Sequence, residues 1–162
     1  MTPEEAECLE KGLRISLAEL RGQQSKKEQL LEPFLSDNEM PRLVEAFVYV
    51  ALTAVEGISR AKGIPFQEAL RSVEELTGVS LFPELPVGPW NEIIDLASAV
   101  KRSHEEARAM PLSMDVPSAI NAAFRLAISS LTDLSKTPHF GHMSPAELAG
   151  MFIKGIEDGY AY

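Results

Sequence analysis

One cysteine, Cys8, in a chain of 162 residues excludes an internal disulfide and any zinc site built from cysteines. Positive charge is scarce too: 15 Lys and Arg stand against 24 Asp and Glu, a net charge of −9. Both halves of the chain are acidic, so no basic domain exists to dock on a phosphate backbone or an anionic lipid surface. The densest basic cluster, Lys101, Arg102 and Arg108, is interrupted by Glu105 and Glu106 and reads as a solvated helix face. A helix-turn-helix reader would have to use Phe66 to Thr77, where Glu68, Glu74 and Glu75 oppose Arg71 alone. Neither nucleic acid nor membrane is therefore expected as a partner.

Long apolar runs are missing as well. The longest unbroken one, Ala46 to Leu52, is far short of the roughly 20 residues a bilayer span requires. The opening Met1-Thr2-Pro3-Glu4-Glu5 is acidic where a secretory leader needs positive charge, and a reducing, cytoplasmic home is the expectation. Absent too are the glycine-rich phosphate loop, the dinucleotide turn, the H-E-x-x-H zinc pair and the G-x-S-x-G elbow. None of His104, His139 and His142 follows a glutamate by three positions, so the Glu-x-x-His steps of a di-iron bundle are lacking.

What is present is helical grammar. Thr2-Pro3-Glu4-Glu5 and Ser144-Pro145-Ala146-Glu147 each place a hydroxyl before an N1 proline, with glutamate at N3. Ser25-x-x-Glu28 and Ser36-x-x-Glu39 suggest two more starts, and Gly22, Gly63, Gly78, Pro111, Pro138 and Gly159 suggest stops. Between these marks apolar residues recur every three or four positions, as in Leu9, Leu13, Leu17 and Leu20. The pattern predicts helices near 3–21, 25–35, 39–62, 65–77, 89–110, 116–136 and 144–158. The fold class is thus all-α: one helical domain of about six or seven helices spanning 1–162. Segments 39–62 and 116–136 are apolar nearly all round and should form its central pair.

The stretch Gly78–Pro89 divides the chain. Its Pro83-x-x-Pro86 and Pro86-x-x-Pro89 spacings match polyproline recognition, but no lysine or arginine flanks them. A stiff connector is the better reading, with Leu81, Phe82, Leu85 and Val87 packed back on the bundle.

Three sets of residues carry the functional expectations. Met151, Phe152, Ile156, Tyr160 and Tyr162, beside the helix-weakening Gly150, Gly155 and Gly159, mark the last helix as an interaction surface. Glu45 and Glu56 interrupt the most apolar helix eleven residues apart, close to three turns. They form either a solvent strip or the acid–base lining of a pocket. His139 and His142 are the one ligand-like pair, with Glu147 or Asp158 as a completing carboxylate if a metal binds. The balance favours a small acidic protein-binding module without catalysis or cofactor, working on a protein of basic surface or on a second copy of itself. The rival is a helical enzyme, or a ligand- or metal-binding protein with an inter-helix pocket.

Overall fold

The computed structural model describes residues 1–159. Among these there are eight helices and no strand. In order they are α1 (Pro3–Leu20), α2 (Gln24–Ser36), α3 (Met40–Lys62) and α4 (Phe66–Arg71), then α5 (Trp90–Arg102), α6 (His104–Ala109), α7 (Val116–Ser135) and α8 (Pro145–Glu157). None of them is long and apolar enough to cross a membrane.

The α3–α7 pair forms the most extensive helix contact. Alanines 46, 51, 54, 122, 123 and 127 are fully buried, and Phe47 meets Phe124 edge-on with ring centroids 5.0 Å apart. Buried side chains of the other helices join the same core, with α6 adding only the half-buried Ala107. α1 crosses α3 so closely that a Cβ on Gly12 would lie 2.7 Å from the Ala46 carbonyl oxygen. Only glycine fits that crossing.

Both proline-containing capping boxes form as expected. Thr2 Oγ1 accepts from the Glu5 N–H at 3.1 Å and Glu5 accepts from the Thr2 N–H at 3.2 Å; Ser144 and Glu147 do the same. The other two do not. Ser36 still belongs to α2, where its hydroxyl donates to the Glu32 carbonyl, and Asn38 makes the turn with φ of 56°. Gln23 precedes α2 without a side-chain cap.

Two expected helices are cut. The segment 89–110 breaks at Ser103, whose backbone is extended and whose hydroxyl accepts from the Glu106 N–H, starting α6 afresh. The sequence Ser103-x-x-Glu106 has the spacing of a capping box, a signal inside a continuous-looking helix. The segment 65–77 stops at Arg71: the Ser72 and Val73 N–H groups still turn back to Glu68 and Leu70, and α7 takes donors beyond them. Asp133 accepts from the Glu74 N–H and Ser129 from the Leu76 N–H.

That capture continues along the connector. Arg125 donates to the carbonyls of Thr77 and Val79 and pairs with Glu75 at 2.8 Å. Asn121, fully buried, accepts from the Phe82 N–H and shares its two amide N–H groups among the carbonyls of Phe82, Leu85 and Pro86. Asn121, Arg125, Ser129 and Asp133 are spaced by four, so one polar stripe of α7 straps residues 74–86 to the bundle. The Leu85 N–H donates to the Phe82 carbonyl, which puts Pro83 in a turn rather than a polyproline helix. Leu81 is buried and Phe82 and Val87 pack on the core, whereas Leu85 points outward.

Candidate functional groove

Helix α3 buries Phe47, Val50, Ala51, Ala54, Val55 and Ile58 and turns its remaining face outward. Tyr49, Leu52, Thr53, Glu56, Gly57, Arg60 and Ala61 fall on that outer face and line an open groove of about 1040 Å3. From Tyr49 to Ala61 the groove follows α3 for about 18 Å, at 1.5 Å per residue. Other elements complete it: Met1 and Glu5 at the start of α1, Val100, Lys101 and His104 around the α5–α6 break, His139 and Phe140 before α8, and Phe152. The break at Ser103 positions His104 here, since it makes that residue the first of α6.

The groove's charges are mostly engaged with one another. Glu56 pairs with Arg60 at 3.4 Å and with Lys101 at 3.3 Å, and the Lys101 ammonium also lies 4.8 Å from the centre of the Phe66 ring. Glu5 lies 3.4 Å from Nε2 of His104, whose ring tilts against Tyr49 at 6.1 Å. Burial, with Glu45 and Glu5 nearby, pushes the Tyr49 phenol up to about 12, so it stays a neutral hydrogen-bonding group at ordinary pH. Cys8, near Arg42 and Glu45, is pushed up to about 11 by burial first and Glu45 second, and its thiol donates to the Arg42 carbonyl. A neutral thiol of that kind is a poor nucleophile.

Residues from all three candidate sets meet in this groove. Glu56, His139 and Phe152 all line it. Glu45 is exposed and borders an adjoining cavity of about 150 Å3, which shares Tyr49, Val100 and His104 with the groove. His142 is exposed and does not line the groove; the His139 ring stacks edge-on against Phe140 at 4.7 Å. Glu147 is occupied by its capping box. Among the described residues no three His, Cys, Asp or Glu side chains gather closely enough to hold a metal ion. Of the expected interaction surface, Met151 is exposed, Phe152 is buried and Ile156 is half-buried, so the set is divided between outside and inside. Tyr160 and Tyr162 lie outside the described residues.

The strip suggested by Glu45 and Glu56, with Tyr49 and Thr53 beside them, is in part the α3 wall of the groove, whereas nothing in the sequence ties Lys101, His104 or Phe140 to it. Only the spacing 49, 52, 53, 56, 57, 60 and 61 pointed to a shared face of α3. The chain matches no protein-family profile, no curated protein and no solved structure.

Proposed function

We propose that the chain is a protein-binding module and that the α3 groove is its working surface, taking an amphipathic helix of a partner protein. The observation that supports this most is the groove's form: an open trough about 18 Å long, equal to roughly three helical turns. Leu52, Val100 and Phe140 offer apolar contact, while Glu5, Glu56, Arg60 and Lys101 add polar groups. Helix-in-groove recognition uses that combination, with apolar anchors every three or four residues in the trough and polar groups at its edge. A net charge of −9 would speed encounter with a partner whose overall surface is positive.

Native mass spectrometry of the protein gently purified from its own source tests the reading. The expected result is a mass above the 17.8 kDa of the chain, corresponding to a bound polypeptide. The variant Thr53→Trp, which fills the trough from the outer face of α3, should melt like the wild type and appear without that addition. A bare wild type, or a partner retained unchanged by Thr53→Trp, would contradict the proposal.

A further inference from the structure

The charges of the groove are not evenly distributed. Glu56 is the one carboxylate within ion-pair distance of two cations, Arg60 and Lys101, among the described residues. Glu5, the other groove carboxylate, faces His104 instead. Mid-groove therefore carries about one unit of positive charge in excess, on a chain whose net charge is −9.

Both cations are open to an incoming group. Arg60 is 80% exposed and reaches Glu56 through Nε, leaving its two Nη groups without a partner among the described residues; Lys101 is 45% exposed. Exposed ion pairs are held weakly, so a ligand carboxylate can share these cations at little cost. A guanidinium with free Nη donors is also shaped for two parallel bonds to a carboxylate. Leu52 and Val100 stand in the same trough as apolar neighbours.

We infer that the partner helix presents an acidic side chain, flanked by apolar ones, to Arg60 and Lys101. This rests on the helix-binding reading of the groove and adds to it the chemistry that sets the register of the helix. An acidic surface steering the encounter is compatible with it, because steering depends on the whole charge and docking on these two side chains.

Two experiments test it. In the first, decanoate and decylamine serve as probes, each an apolar chain with one charged end, titrated into the purified protein and followed by the Arg60 Nε–H and Leu52 methyl resonances. Saturable shifts are expected with decanoate, about tenfold weaker with decylamine and about tenfold weaker for Arg60→Gln/Lys101→Gln, the loss expected for a charge-assisted hydrogen bond. Decylamine binding equally well, or no shift with either probe, would overturn the inference. In the second, the native complex is compared across variants. Loss of the partner in Arg60→Gln/Lys101→Gln, with retention in Lys101→Arg, supports the inference. A complex lost in Thr53→Trp but indifferent to the glutamine pair overturns this inference alone, whereas absence of any complex with the wild type overturns the groove reading and this inference together.

Discussion

Asn121 shows how much one side chain holds in this fold. Its amide oxygen and two N–H groups engage four backbone groups of the connector from a fully buried position, one N–H being shared between two carbonyls, and each carbonyl it satisfies would otherwise face the α7 surface. Replacement by alanine should lower unfolding stability by about 2–4 kcal/mol in urea titrations, because several buried partners are left unmade at once. A loss under about 1 kcal/mol would contradict the strap, being no more than one ordinary hydrogen bond. Glycines divide in the same physical way. Gly12→Ala would drive a Cβ against the Ala46 carbonyl and should destabilise by about 1–3 kcal/mol. At Gly150 a Cβ meets nothing within 4 Å, so Gly150→Ala should raise stability by about 0.5–1 kcal/mol through helix propensity alone. Thermal melts of the two variants should move in opposite directions.

At the scale of elements, apolar periodicity located every long helix, because burial on one face dictates it directly. It also identified α3 and α7 as the central pair, since helices buried on most sides are apolar over most of their circumference and keep only a narrow polar stripe. The breaks were harder to read. Ser103 interrupts a segment whose apolar spacing continues to Ile94, Ala97 and Val100 and resumes at Ala107, so the hydrophobic signal hides a break that only the Ser103-x-x-Glu106 spacing marks. Beyond α4 the chain is held by acceptors that no local window contains, on α7 more than fifty residues away. The polar step of four along α7 was present in the sequence but hidden by an apolar count that ignores what polar residues share. Ser103→Ala should cost α6 its cap, about 1 kcal/mol of local stability, seen as faster hydrogen exchange at Glu106 and Ala107 with little change in α7. Equal acceleration throughout the chain would show that α5 and α6 are not separate units.

At the scale of the whole molecule, the sequence offers an inter-helix pocket only as the rival reading and does not say which elements close it, because a concavity belongs to no single element. Glu56, His139 and Phe152 were each singled out, for three unrelated reasons, and folding alone brings them to one trough. Alkaline pH probes the neighbourhood of that trough. The Cys8 thiol is raised from 9.0 to about 11 and the Tyr49 phenol from 10.0 to about 12, so the folded state holds both protons more tightly than the unfolded chain. Their contribution is intact below pH 9 and falls away as the pH climbs through about 11 and then about 12. Urea midpoints measured from pH 8 upward should decline, and the double variant Cys8→Ala/Tyr49→Phe should decline less steeply. Parallel curves would rule out these two groups as the cause.

The most direct test of the groove as a docking surface is site-specific photocrosslinking in the source cell. A compact aliphatic diazirine amino acid, too small to fill the trough, is placed at Thr53 inside the groove and, separately, at Glu84 on the exposed connector, and the crosslinked peptides are sequenced. The account predicts a discrete adduct from Thr53 alone, joined to a partner segment with helical apolar spacing and an acidic residue within about one turn of the crosslink. Adducts of the same pattern from both positions, or none from Thr53, would contradict it.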